Sequence, residues 1–437
     1  MHCGLVLFDI DGPLIATAGA GLEAPLDHVR RKETTMQERI LSKITVIDMT
    51  EGVAGPYAAM ALSDMGANVI KGERQAGDWS RPPDHFNVDG EASANFIALN
   101  RNKRDIGLDV SRATGKKILE QLIRRSDVLI SNFRPGVMGK LGFDYARCQA
   151  LNEALVYCTI SGFGQDGSYA QNPASDTIIQ AMSGVMSLVG EAEGPPLRVG
   201  FPLIDMAAAN AAVQAVLLAL YGRLSGHDGA NIDISLMAAA LAMMSGGYTR
   251  FSASGKQAVR QGNQNTNLAP AGAFKTSDGR YLSIAVLRDE HWVKFCAALD
   301  LGILAKDPRF ITNALRVENR AALDAIIVPM FAAQPAALWL ERLRTADILC
   351  GPINEFADIA ADGALGEELP LVDSMALNVP QAVALPIRFN GRFAETIRRA
   401  PAKGEHTKQI LAEFGFGAVE VERFFDEGVV FSSRNTY

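Results

Sequence analysis

Between Ile44 and Ile160, short runs of β-branched and aliphatic residues alternate with longer stretches of helical pattern. Ile44–Asp48, Asn68–Lys71, Asp127–Ser131 and Leu155–Ile160 read as buried strands, and Gly55–Met65 and Gly115–Arg125 as the helices between them. Strands joined through helices by short links run parallel, so this pattern predicts an α/β fold with a doubly wound, Rossmann-like sheet. Two apolar helical stretches follow, Ile178–Val189 and Met206–Arg223, then a strand at Ala230–Ser235 and a helix through Met244.

The glycines and amides between Gly246 and Gly272 predict a long linker or loop. Beyond it, Gly272–Ala285 carries a Ser277-Asp278-Gly279 turn between two strand-like runs, which predicts a β-hairpin opening a smaller α+β domain. Helices at His291–Leu299, Arg320–Phe331 and Ala336–Ala346 complete that domain, and a strand at Ala382–Phe389 and a last helix at Thr407–Phe414 follow. The domain expectation is therefore 44–245 for a large domain, 255–346 for the small one and 350–437 returning to the large one. Residues 1–35 read as an extension, with the main chain of the fold restarting near Met36.

At 437 residues and 48% apolar content, the chain has material for more than one core. A net charge of −7 with scattered basic residues argues against nucleic acid as a partner. The five cysteines, Cys3, Cys148, Cys158, Cys296 and Cys350, are odd in number and form no CxxC pair, as expected of reduced thiols in the cytoplasm. A membrane span needs roughly 18 apolar residues. The nearest run, Ala207–Leu220, is interrupted by Asn210 and Gln214, and the amino terminus lacks the basic region of a signal peptide. The expectation is a chain without a membrane partner.

Asp205 ends an apolar run and is followed by small residues that let another molecule approach. Two readings are open: a cap for a helix beginning at Met206, or a carboxylate nucleophile. Near the amino terminus, Leu5–Leu14 places Asp9 and Asp11 as in the first motif of haloacid-dehalogenase-type phosphatases. Pro13 stands where that family needs Thr, and the chain then runs into an unrelated strand, so this segment is read as an extension without a working phosphatase site.

A set of segments in fixed order carries a second resemblance: Val46–Pro56, Gly66–Arg74, Asn100–Ile106, Ser131–Gly136 with Lys140–Phe143, Ser161–Gly164, Gln180–Gly184, Arg198–Asp205 and Ala400–Thr407. Together they resemble family III CoA-transferases, the group containing formyl-CoA and carnitine CoA-transferases and the related acyl-CoA racemases. The resemblance implies CoA contacts from Ala54, Arg74, Leu108, Asn132, Phe133, Lys140 and Leu141, and a catalytic nucleophile at Asp205. It implies a second active-site acid at Asp176, which orients the nucleophile or the acyl group, or caps the next helix. Lys103 and Arg104 add positive charge for general steering.

The implied reaction moves CoA between carboxylic acids by a ping-pong route through an aspartyl-CoA thioester. CoA enters as the thioester substrate, with no tightly bound cofactor and no metal, and the expected assembly is an interlocked homodimer. The racemase branch has a His directly before its second acid, whereas this chain has Ser175, which favours transfer over racemisation. Gly262–Asn267 stands where the formyl-CoA enzymes have a glycine run, so their oxalate preference does not carry over, and Gly72 replaces the β-branched residue beside the Arg74 contact.

Overall fold

Six parallel strands and one antiparallel edge strand build the main sheet of this computed structural model, which describes residues 40–82, 92–364, 371–373, 381–394 and 398–432; the parallel ones come first in the chain. The Asp9 and Asp11 motif, Cys3 and Met36 lie outside the described residues. The parallel strands are β1 (Thr45–Met49), β2 (Asn68–Glu73), β3 (Arg104–Leu108), β4 (Val128–Ser131), β5 (Val156–Ser161) and β6 (Ala230–Ser235). They are parallel neighbours in the order β3-β2-β1-β4-β5-β6. β1 is central: Val46 pairs with Val69 of β2 on one side and Val128 of β4 on the other. The chain winds outward from β1 to β3, then crosses back to β4, so a crevice opens beyond the carboxyl ends of β1 and β4.

Each sheet face buries its own apolar layer. Helices Ala54–Asp64 and Leu203–Leu224 cover one face around Ala58, Leu62, Val69, Ala208, Ala212 and Val216. On the other face, Ile118 and Leu122 of helix Ala113–Arg124 pack with Leu411 and Phe424 from the carboxyl-terminal segment. A third apolar core lies elsewhere in the chain, beneath an antiparallel sheet of β7 (Ala271–Lys275), β8 (Tyr281–Ala285) and β9 (Leu349–Pro352). The β7–β8 hairpin turns at the predicted Ser277–Gly279. Short hairpins follow, β10 (Leu371–Asp373) with β11 (Gln381–Val383) and β12 (Arg388–Phe389) with β13 (Arg392–Phe393). Finally β14 (Val430–Phe431) adds antiparallel to β3, returning the chain to the main sheet.

Several elements depart from the sequence reading, each for a physical reason. β3 was absent from it because Arg104-Asp105-Ile106-Gly107-Leu108 lacks a strand's apolar alternation; its polar residues are buried in ion pairs instead. The apolar stretch 178–189 is two short helices, Asp176–Met182 and Val185–Leu188, because Gly184 between them takes a left-handed φ of 95°. The linker read at 246–272 begins as a helix, Ser245–Ser254, none of whose residues is buried. The strand read over 382–389 divides between β11 and β12. Helix Thr407–Glu413 is not the last one, since Ala418–Asp426 follows it.

Helix Leu203–Leu224 is, by length and composition, apolar enough to cross a membrane, unlike the shorter run read from the sequence. Its inner stripe, including Ile204, Ala208, Ala212 and Val216, belongs to the core of the main sheet. Leu218, Tyr221 and Leu224 on the same helix are exposed.

Candidate active site

A cavity of about 440 Å³ occupies the crevice at the carboxyl ends of β1, β4 and β5. Its walls come from Glu51, Val53 and Ala54 after β1, Asn132–Pro135 after β4, and Ser161 and Gly162 after β5. Ala174–Thr177, Asp205, Trp79 and Leu236 are among the other lining residues.

The turn after β1 is fixed by groups that replace solvent. Glu51 N donates to Asn132 Oδ1 at 2.9 Å, and Asn132 Nδ2 donates to Glu51 O at 2.7 Å, so one carboxamide ties the ends of β1 and β4 together. Gly52 has a left-handed φ of 84°, donates to Asp78 Oδ1 at 3.1 Å and lies under the Trp79 indole. A Cβ at position 52 would lie 2.2 Å from the indole, so glycine serves both the turn and the close approach. Helix Ala54–Asp64 begins here without a side-chain cap, so the Ala54 and Gly55 amides have no partner within the helix, and Ala54 lines the crevice.

Below the turn lies a layer of buried charge. Lys103 is 0% exposed and donates to Asp48 Oδ2 (2.8 Å), Pro56 O (2.9 Å) and Asn100 Oδ1 (2.8 Å). Lys71, equally buried, donates to Thr50 O (2.7 Å) and Asp78 Oδ2 (2.9 Å). Burial pushes the Lys103 ammonium down to about 8 against the opposing pull of Asp48. For Asp48, burial is outweighed by Lys103 and Lys71, which hold its carboxyl below the usual range. Arg104 is also buried, donating to Asn68 Oδ1 and to both oxygens of Glu413. The steering role read for Lys103 and Arg104 is thereby corrected: neither faces solvent, and both hold backbone or strands in place.

Asp205 is not the residue that caps its helix. The helix begins at Leu203, so Asp205 sits within the first turn, and Pro202 at the N-cap position supplies no side-chain bond. The cap comes from a distant segment. Asp176 Oδ2 accepts from Ile204 N at 2.7 Å and Asp205 N at 3.1 Å, while Asp176 Oδ1 accepts from Gln180 Nε2 at 2.6 Å. Asp176 does not cap its own helix either; Ser175 does, its Oγ accepting from Ile178 N. Burial, with Asp176 beside it, pushes the Asp205 carboxyl up to about 7. A carboxylate so poorly solvated is a stronger nucleophile once ionised.

Of the residues expected at the site, Ala54, Asn132, Phe133, Asp176 and Asp205 line the cavity. Phe133 also packs on the core beneath, so its two readings coexist. Arg74, Leu108, Lys140 and Leu141 do not line it. Arg74 is exposed and paired with Glu51 at 3.2 Å, Leu108 is buried in β3, Lys140 is exposed, and Leu141 packs partly on the core. A second hollow of about 440 Å³ lies at the ends of β2 and β3, lined by Gln75, Asp109, Arg112 and Phe431 among others. Gln75 and Asp109 directly follow Arg74 and Leu108 in the chain. Sequence reasoning assigned no role to Glu51, Trp79 or Gln180, although Glu51 and Gln180 fall in the Val46–Pro56 and Gln180–Gly184 segments and the Gly77-Asp78-Trp79 turn follows β2. Among the described residues no group of three or more His, Cys, Asp or Glu is placed to hold a metal ion.

Half-buried acids facing a crevice at the switch point of a Rossmann-type sheet define an α/β enzyme that works on a ligand held along the strand ends. Residues 41–407 match the model of CoA-transferase family III. The chain is 35% identical over 381 residues to a succinate–glutarate CoA-transferase of Agrobacterium fabrum, covering 85% of this chain and 95% of that one. It is 37% identical over 350 residues to an acetyl-CoA:oxalate CoA-transferase of Acetobacter aceti, covering 80% and 88%. Among solved structures, a CAIB/BAIF family protein from Brucella suis superposes with a TM-score of 0.79 at 35% identity, covering 86% of this chain and 99% of that one. The chain belongs to CoA-transferase family III, and it is a CoA-transferase.

Proposed function

We propose that the protein moves CoA between two carboxylic acids through a covalent intermediate on Asp205. An ionised Asp205 oxygen attacks the thioester carbonyl of the donor, the C–S bond breaks, and a mixed anhydride and CoA thiolate form. The thiolate attacks the Asp205 carboxyl carbon and expels the donor carboxylate, leaving an aspartyl-CoA thioester. The acceptor carboxylate attacks that thioester and releases the thiolate again. The thiolate then takes the acyl group from the new anhydride, restoring Asp205. No net proton or electron is exchanged, and an anhydride lies close enough to a thioester for traffic both ways.

The observation that carries this reading is the Asp176 cap on the first turn bearing Asp205, beside a cavity of sufficient size for a thioester arm. The free amides of helix Ala54–Asp64 suit a carbonyl or developing oxyanion there. CoA then lies along the strand ends, its nucleotide end toward the hollow flanked by Arg74 and Leu108, with a guanidinium suited to phosphate. Relatives named for succinate, glutarate and oxalate support a dicarboxylic acid as one substrate. The exposed apolar side chains Leu218, Tyr221, Leu224, Tyr248 and Phe251 suit burial against a second copy, and light scattering tests that dimer.

Incubation with acyl-CoA followed by hydroxylamine should yield a hydroxamate at Asp205. An unmodified Asp205 under turnover would contradict the mechanism. The racemase reading has less support: the Ser175 hydroxyl takes no proton at neutral pH, and Asp176 accepts three hydrogen bonds as a cap. Deuterium wash-in at the α-carbon would revive it.

A further inference from the structure

Gln180 lies on helix Asp176–Met182, is 0% exposed and has no place in the reaction described above. Both ends of its carboxamide are committed. Nε2 donates to Asp176 Oδ1 at 2.6 Å, and Oε1 accepts from Val199 N at 2.8 Å. Each bond reaches the nucleophile by a different route. Asp176 carries the first bond onward through its other oxygen to the amides of Ile204 and Asp205. Val199 opens the Val199–Pro202 segment that leads directly into the Asp205 helix. One side chain therefore fixes both the cap on the nucleophile's turn and the backbone that delivers that turn.

The chemistry requires an amide at this place. The Asp176 carboxylate needs a donor, and the amide N–H of Val199 needs an acceptor, so the group between them must present one of each in fixed orientation. An apolar side chain of similar size leaves Asp176 Oδ1 and the half-buried Val199 amide without this partner, which loosens the orientation of Asp176 and of the cap it forms. A shift of about 1 Å at a reacting group costs on the order of 100-fold in rate.

We propose that Gln180 is a positioning residue for the Asp205 nucleophile, locking the Asp176 cap and the Val199–Pro202 approach into a single geometry. The inference rests on the reading of Asp205 as the nucleophile. It predicts a defect in forming the covalent intermediate and none in binding the thioester, because Gln180 is buried behind the cavity wall and is not among its lining residues.

The test is single-turnover formation of the aspartyl thioester, trapped with hydroxylamine, in wild type, Gln180→Leu and Gln180→Glu, with circular dichroism on each. Gln180→Leu should slow trapping by about 10- to 100-fold with KM for acyl-CoA changed by less than about twofold. Gln180→Glu adds a readout that a merely structural role would not move. When protonated, the glutamic acid supplies the same donor and acceptor; when ionised, it faces Asp176 with like charge. Its rate should approach wild type at acidic pH and fall along an alkaline limb that wild type lacks. A Gln180→Leu rate within about twofold of wild type, or a Gln180→Glu profile parallel to wild type, overturns the inference. Failure of wild type itself to give a hydroxamate at Asp205 overturns the nucleophile assignment as well, so the two failures are distinguishable.

Discussion

The β1–β4 crevice and the core beneath β7–β9 are rigid by opposite means. In the smaller core, Trp292, Phe295, Phe310, Phe331 and Trp339 pack ring against ring, with Phe331 and Trp339 centroids 5.1 Å apart. Beneath the crevice, Asp48, Lys103, Lys71 and Asp78 lie buried and hold the backbone of Thr50 and Pro56 by directional bonds. Apolar packing is non-directional and tolerates small shifts, so it serves stability. Buried ion pairs give little net stability for their desolvation, yet they fix a loop in one register. The difference teaches where this protein accepts an energetic cost for geometry: at the strand ends that face the thioester.

Removing the chemistry while keeping the fold should give the largest effect. Asp205→Asn is expected to lower CoA exchange by about 10³-fold or more in a coupled assay, with circular dichroism unchanged. Lys103→Met strikes the ionic region by leaving the Asp48 carboxylate buried without its cation. A loss of about 3–5 kcal/mol in urea unfolding is expected, with reduced kcat in the fraction that stays folded. Phe331→Ala should cost a comparable 3–5 kcal/mol or so in the aromatic core, yet leave kcat within about twofold below its melting temperature. If both variants lost kcat equally, the contrast between the regions would break.

The pH dependence sharpens the same contrast. The folded-state value for Asp205 is raised from 3.8 to about 7, so burial opposes its ionised form. That destabilisation is absent below about pH 4, where the carboxyl is protonated folded or unfolded, and is complete once pH has risen through about 7. Asp205→Asn should therefore stabilise the fold on the order of 2 kcal/mol at pH 8 and not at pH 4, read by calorimetry. In wild type, kcat/KM should rise through about pH 7 as Asp205 ionises. The smallest effect is expected from Arg147→Ala, whose surface pair with Glu120 contributes about 0.5 kcal/mol or less to urea stability.

Legibility in the sequence followed how local each cause was. β1, β2, β4 and β5 are readable because their runs are mostly apolar and buried on both faces, as parallel strands require, and the edge strand β6 because Ile232 and Ile234 alternate with exposed polar residues. β3 was not, because Arg104 and Asp105 are buried by partners such as Glu413 and Gly404, roughly 300 positions away along the chain. Likewise Asp205 stood out as a carboxylate among small residues, but its helix was read as starting three residues late. The true cap, Asp176, is 29 positions upstream.

By itself, then, the sequence determined the α/β architecture, the hairpin at Ser277–Gly279 and the identity of the acids, since strand burial, turn chemistry and functional groups are properties of neighbouring residues. Only the tertiary structure decided what those acids do to one another. It placed Asp176 on the Asp205 turn, bound Gln180 to Asp176 and Val199, and turned Lys103 from a solvent-facing charge into a buried brace. Hydrogen bonds and desolvation act through space, and their partners are set by the fold rather than by separation along the chain.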